Sequence, residues 1–311
     1  MIHCIVSGML PWEQFAGRVR FNLLMSLRQH PRRFTNARTT NFYYSFVFLP
    51  PEKREAIEAV YAFARRSDDV ADRHLPAEEA RRQLELCRRD LDRCYEARGH
   101  SDLNFTPELA ALARAVHRFQ IPREHFEELL RGIEMDLSPQ RYQTFEELSL
   151  YCYRVASTIG LISIEVFGYK NLLTRKYAAN LGMALQIVNI LRDLQSDARR
   201  ERVYLPEEDL ERFGVSPESF LTGKPSGRFV DMMEFESERA RRYFAQARQA
   251  LPSEDSRGMV IAEIMGAVYW QLLLRIKGRH YDVFGERVRL PRPLKFWIAL
   301  SVFCGRRGYR P

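Results

Sequence analysis

Asp68 and Asp72 form one aspartate pair and Asp193 and Asp197 another, 125 residues further on, each at a spacing of four within a segment of helical periodicity. Residues four apart on an α-helix stand one above the other, so each pair offers two carboxylates to one point. Hard carboxylate oxygens suit Mg2+, which takes one or two of them and completes its octahedron with water and phosphate oxygens. The chemistry this pattern suggests is metal-assisted handling of a diphosphate.

The chain has 13 aspartates in 311 residues, so chance alone supplies about half of one such pair, and the neighbours must carry the argument. In the first segment the polar ladder runs Tyr61, Arg65, Asp68, Asp72; in the second it runs Gln186, Asn189, Asp193, Asp197, with Arg192 beside it. Ile187, Ile190, Leu191 and Leu194 give the second segment an apolar packing face. A polar ladder is expensive to bury without partners, so it marks either a solvated face or a site. Arg65 and Arg192 beside both ladders favour a site that takes phosphate.

The elements that must position these residues read as helices, at about 52–72, 77–98, 106–119, 121–132, 144–167, 171–196, 206–213, 217–221, 229–250 and 253–277. Pro50-Pro51, Pro107 and Pro122 mark starts, and Thr144 with Glu147 predicts a capping box. The only strand-like stretch is 42–49, rich in aromatic and branched residues, and a helix ending before the prolines is its alternative. The chain is therefore expected to be all-α, one domain built as a bundle around a cavity, with a basic extension at 1–38, the main domain at 39–290 and a basic, apolar tail at 291–311.

A hydrophobic content of 46% supports a large core, and a net charge of +8 with pI near 9.3 implies an anionic partner. Five cysteines without a C-x-x-C pair predict free thiols, and seven histidines without H-x-x-x-H spacing exclude a zinc hydrolase. No stretch is expected to be long and apolar enough to span a bilayer, and residues 1–10 do not read as a signal peptide. The run 296–304, between Lys295 and Arg306, Arg307 and Arg310, is expected either to lie among lipid headgroups or to be a docked terminal helix. These readings predict a cytoplasmic monomer, peripheral at the inner membrane face, that takes a small diphosphate and no nucleic acid.

Taken together the motifs resemble the squalene and phytoene synthases, the head-to-head isoprenyl diphosphate synthases. The resemblance covers about residues 39–290 and rests on the segment 41–46 (NFYYSF), on Tyr61 to Arg65 leading into Asp68-Asp69-Val-Ala-Asp72, on 151–156 (YCYRVA) ending at Gly160, on Gln186 to Asp193 with Asp197, and on the connector 198–206. Within the family, 42–46, 151–156 and 281–285 look most like bacterial presqualene diphosphate synthases of hopanoid pathways, and shade into phytoene synthases.

The resemblance implies an isoprenoid synthase helical bundle around a central apolar cavity. It implies Mg2+-dependent 1'-1 condensation of two prenyl diphosphates, two farnesyl diphosphates to presqualene diphosphate, with two geranylgeranyl diphosphates to phytoene as the alternative. Asp68, Asp72, Asp193 and Asp197 would bind two or three Mg2+ ions; Asn41, Arg65, Gln186, Asn189, Arg192 and Arg287 would contact diphosphate. Val155, Ala156 and Gly160 would border the prenyl channel, and Tyr61, Tyr151 and Tyr269 would shield the allylic cation in catalysis. NADPH would be needed only if the reaction continued to squalene. Two departures stand out: Asn41 where the family commonly has serine, and Ser196 where an acid usually precedes the last aspartate, which would weaken metal binding there. A head-to-tail prenyltransferase also fits Asp68-Asp69-Val-Ala-Asp72, but Asp193 lacks an adjacent aspartate. From another class, a non-enzymatic basic helical binding protein would show salt-dependent nucleic-acid affinity.

Overall fold

The computed structural model describes residues 46, 48–73, 75–97, 105–138, 141–223, 225–305 and 309, and these form helices joined by short loops. In chain order they are α1 (Pro51–Asp72), α2 (Ala77–Glu96), α3 (Pro107–Arg118), α4 (Arg123–Met135), α5 (Phe145–Cys152), a π-helical turn (Tyr153–Ser157), α6 (Thr158–Phe167), α7 (Leu173–Ala198), α8 (Glu207–Phe213), α9 (Ser219–Thr222), α10 (Gly227–Ala250), α11 (Val260–Gly278) and α12 (Arg292–Phe303). Among the described residues the β-structure is one isolated bridge, between Arg141 and Val203. The described part of the strand-like stretch, Phe46 and Phe48 to Leu49, is helix, turn and bend. Pro50 ends any pairing there and Pro51 starts α1, as a proline without an N–H can at a first turn.

Local chemistry explains most boundaries. Thr106 caps α3 by accepting from the Leu109 N–H, and Ser226 caps α10 by accepting from the Phe229 N–H. At α5 the Thr144 hydroxyl accepts from the Glu147 N–H, but the Glu147 carboxylate returns to the Gln143 N–H, one residue before the expected capping-box position. The predicted helix at 253–277 begins only at Val260, because residues 253–259 wind as turns. There Asp255 accepts from the Lys170 and Asn171 N–H groups and from the Thr174 hydroxyl, tying this corner to the start of α7.

Helix α7 is the central post. It packs against α10, α6, α11 and the π turn, and its Tyr177, Ala184, Val188 and Leu191 are fully buried. Close approach to the π turn needs glycine on both sides. A Cβ on Gly132 of α4 would lie 2.7 Å from Arg154 Cβ, and one on Gly182 of α7 would lie 2.6 Å from Ser157 Cα.

The expectation that no stretch reaches membrane-spanning length is corrected. By length and composition Phe145–Phe167 is apolar enough to cross a bilayer, with mean hydropathy 1.3 and half of the window buried inside the protein. Its apolarity has a local cause: one side packs on α4 and α7 and the other lines an apolar cavity, so little of its circumference needs charge.

Candidate active site

The C-terminal ends of α1, α4, α5 and α7, with α11 and the segment 287–295, enclose a cavity of about 840 Å³. All the site residues inferred from sequence line it except Asn41, which lies outside the described residues. The four ladder carboxylates therefore converge instead of facing separate surfaces. The polar end of the cavity opens to solvent, with the Asp68, Arg65 and Arg287 side chains each about half exposed. The far end is apolar and is formed by Ile57, Ile164, Phe167, Ala178, Ile261 and Ala262.

On the α7 side Asp193 is clamped twice. Arg287 Nε and Nη2 lie 2.7 and 2.5 Å from its two oxygens, and Arg192 donates to both, Nε at 2.8 Å. Burial pushes the Asp193 carboxyl up, but these hydrogen bonds outweigh it and hold the group below the usual carboxylate range. One turn further on, burial and the Asp193 charge raise Asp197 to about 7. Asn189 donates to Gln186 Oε1 at 3.3 Å, while its own Oδ1 is buried without a hydrogen-bond partner among the described residues. Ser196 does not belong to this face: it is exposed and its hydroxyl donates to the Asp193 carbonyl.

On the α1 side Arg65 bridges Asp68 at 3.1 Å and Asp69 at 2.7 Å. The cavity walls desolvate Asp68 and the neighbouring Asp72 repels its charge, so its carboxyl rises to about 6. Asp72 is met from the connector after α7, by Arg200 at 3.2 Å and Arg202 at 3.3 Å. Arg202 also donates to the Ala71 carbonyl at 2.8 Å, strapping the connector across the end of α1. The basic connector is thus part of the site and not a solvated loop.

Deeper in, Tyr151 donates to one oxygen of Asp136 at 2.8 Å and Tyr204 to the other at 2.9 Å, and the two rings stack with centroids 5.1 Å apart. Burial drives the Tyr151 hydroxyl well above its ordinary value and raises the Asp136 carboxyl, although both tyrosines and Arg202 pull the latter down. Sequence reasoning did not single out Asp136 or Tyr204. Tyr204 sits in the connector motif that carried the resemblance, whereas Asp136 had no signal beyond an acid at a helix end. Lys295, expected from sequence only as a basic flank of the 296–304 run, is instead buried and lines the cavity from α12. Tyr61, on α1, and Tyr269, almost fully buried on α11, face the same space. Val155 and Ala156, in the π turn, and Gly160 line the cavity wall; a Cβ on Gly160 would come within 2.7 Å of the Ala178 carbonyl, so it also permits close packing.

Among the described residues no group of three or more acidic, histidine or cysteine side chains is clustered to hold a metal alone. The donors fit Mg2+ in the manner of an ion shared with substrate: hard oxygens in pairs, two carboxyls raised by burial and by the neighbouring carboxylate, and the orphaned Asn189 oxygen on the face of Asp193 and Asp197. Seven cationic and six acidic residues line the cavity, a mixture able to hold a polyanion and divalent cations together.

The profile of the family described as squalene/phytoene synthase matches residues 35–293. The chain belongs to the squalene/phytoene synthase family. It is 36% identical over 279 residues to the phytoene synthase of Mycobacterium tuberculosis, covering 87% of this chain and 90% of that one. It is 36% identical to the 15-cis-phytoene synthase of Synechocystis sp., covering 85% and 80% of the two chains. Among solved structures, a dehydrosqualene synthase in complex with ligand superposes with a TM-score of 0.74 at 24% identity, covering 94% of this chain and 98% of that one. The squalene synthase HpnC from Alicyclobacillus acidocaldarius gives 0.68 at 22% identity, covering 87% and 97%. The all-α fold is thus that of the isoprenoid synthases, and the protein is a prenyltransferase that condenses prenyl diphosphates head to head.

Proposed function

We propose that this prenyltransferase joins two geranylgeranyl diphosphates to give phytoene, and that the C15 condensation first expected from sequence is not its main reaction. The observation that carries this is the 36% identity to phytoene synthases along nearly the whole chain. The cavity supports it. Fifteen residues of α7 separate Asp193 at the polar end from Ala178 at the apolar end, about 22 Å of helix rise. With carbon–carbon bonds of about 1.5 Å, an extended geranylgeranyl main chain reaches roughly 19 Å and a farnesyl chain roughly 14 Å.

In this reading Asp68, Asp72, Asp193 and Asp197, with Asn189, would hold Mg2+. When bound, the ions neutralise the charge that develops on the diphosphate leaving group. Arg65, Arg192 and Arg287 contact diphosphate oxygens, with Gln186 orienting Asn189. The allylic carbon–oxygen bond breaks at the polar end and leaves a cation within the apolar walls. The Tyr151 ring, fixed by Asp136 and stacked on Tyr204, and the rings of Tyr61 and Tyr269 present π-faces to that cation and help exclude water. Val155, Ala156 and Gly160 leave room for the prenyl tails. Attack on the double bond of the second substrate, then proton loss, forms a cyclopropane; its rearrangement with loss of the second diphosphate and another proton gives the C40 triene centre. No hydride is consumed, so NADPH is not required.

The test is incubation of the purified protein with Mg2+ and either the C15 or the C20 diphosphate, with and without NADPH, and identification of the lipid product. Phytoene from the C20 substrate, independent of NADPH, is expected. Presqualene diphosphate or squalene as the faster product would overturn the reading.

A further inference from the structure

Helix α12 wears its amphipathicity inside out. Its lysine, Lys295, is buried with Ala299 and Val302, and its side chain lines the cavity. Its aromatic residues face the other way: Phe296 is 40% exposed and Trp297 58%. Pro293, Phe296, Trp297, Leu300 and Cys304 follow one another at offsets of three, four, seven and eleven, which is one face of a helix. Pro293 and Cys304 are exposed, Leu300 is partly so, and the stripe carries no charge. Cations flank it in the sequence instead. Arg289 and Arg292 are exposed just ahead of the helix body, and the sequence continues past it with Arg306, Arg307 and Arg310.

We propose that this face of α12 docks the protein on an anionic lipid bilayer, with Phe296, Trp297 and Leu300 entering the boundary between headgroups and acyl chains. Tryptophan and phenylalanine on a short helix with basic flanks suit that boundary, because the rings bury apolar surface while the arginines meet lipid phosphates. A second copy of the chain is a poorer occupant. A two-fold contact through this stripe would bring the arginine clusters of the two copies together, at an electrostatic cost that lipid phosphate turns into a gain. The location agrees with the substrate's chemistry. Val288, Leu290 and Lys295, in the same segment, line the cavity, so the docked face is the outer side of an element whose inner side lines the cavity, and a prenyl diphosphate is itself an amphiphile.

The experiment uses the full chain without substrate, so its result is independent of which prenyl diphosphate is condensed. Flotation with vesicles of phosphatidylcholine alone, or of phosphatidylcholine with phosphatidylglycerol, reads the partition, and the part of the tryptophan emission that is lost in F296S/W297S reads the depth of Trp297. Binding to the phosphatidylglycerol vesicles, a blue shift on binding and weakening in high salt are expected. The double variant F296S/W297S should partition at least about tenfold less, with an unchanged circular dichroism spectrum. The single variant Trp297→Lys, at the more exposed position, should show the same direction. Failure of the unaltered protein to bind, or equal binding by folded variants, would overturn the proposal. So would sedimentation showing a dimer that F296S/W297S dissolves, which would assign the stripe to a second copy.

Discussion

The two acidic ladders look alike in sequence and differ in how the protein holds them. On α7 the protein itself neutralises Asp193, through the paired guanidinium groups of Arg192 and Arg287, and the carboxyl stays low. On α1 the cation paired with Asp68 among the described residues is Arg65, at the open end, and burial raises its carboxyl to about 6. Asp193 is preset by internal counter-ions, as Asp72 is by Arg200 and Arg202; Asp68 and Asp197 are raised by burial and by the neighbouring carboxylate, a cost that an incoming cation would relieve. A matching motif therefore does not imply matching electrostatics, because the countercharges come from distant segments, here residues 200–202 and 287.

The sharpest way to break that comparison is to neutralise one carboxylate on each side. Asp68→Asn and Asp193→Asn should each lower kcat/KM for the prenyl diphosphate by about 10³-fold, as loss of a group that stabilises the leaving charge does. Their stabilities should move apart. Asp68→Asn removes a carboxylate the fold disfavours and should raise the melting temperature at pH 8. Asp193→Asn leaves the buried Arg192 short of its anion and should cost about 3 kcal/mol. Calorimetry on both variants decides it, and equal shifts would show that the ladders are electrostatically equivalent.

A pH titration of the metal-free protein sharpens the same point with a smaller effect. A carboxyl whose pKa is raised by folding favours the folded state fully below its ordinary value, and that contribution is lost as pH rises through the raised value. For Asp68 and Asp197 these values are about 6 and about 7. The melting temperature should therefore fall between pH 5 and pH 8, and Mg2+ with inorganic diphosphate should recover it. Asp193, held low, acts in the opposite sense, its contribution disappearing as pH falls below the usual carboxylate range. A melting temperature that climbs from pH 5 to pH 8 would contradict the raised carboxyls assigned to Asp68 and Asp197.

The smallest expected change comes from the clamp. Arg287→Gln frees one side of Asp193, so Mn2+ affinity measured by electron paramagnetic resonance without diphosphate should rise by about threefold, while affinity for inorganic diphosphate falls by about tenfold. A drop in both would mean that Arg287 supports the metal ligands instead of competing with the ion.

Much of this was legible in the sequence because it is local. Polar ladders at steps of three and four, prolines at helix starts and the Thr144 cap all act within a turn or two of chain, and the helices stand close to where periodicity put them. What escaped depends on tertiary partners. Asp136 became part of the site only because α5 and the connector bring Tyr151 and Tyr204 to its two oxygens. The turns at 253–259 are held by Asp255 bonding to residues about eighty positions away. The membrane-length segment was misjudged because charge at Glu146, Glu147, Arg154 and Glu165 is spread thinly enough for an 18-residue window to pass. The π turn has no local signature at all; the narrow gap between Gly132 and Gly182 admits it.

That turn has a geometric consequence for the wall it interrupts. Tyr151 and Gly160 are nine residues apart, and on an uninterrupted α-helix they would be rotated by about 180° from each other, one facing the cavity and one facing away. A π turn absorbs one additional residue, which brings the angle back to about 80°. Ser163 and Phe167 are rephased with Gly160, so one continuous strip of side chain runs from the hydroxyl at the polar end to the apolar floor. Excising a single residue from 153–157 would unscrew that strip, leaving every other side chain present and half of them aimed at the wrong neighbour.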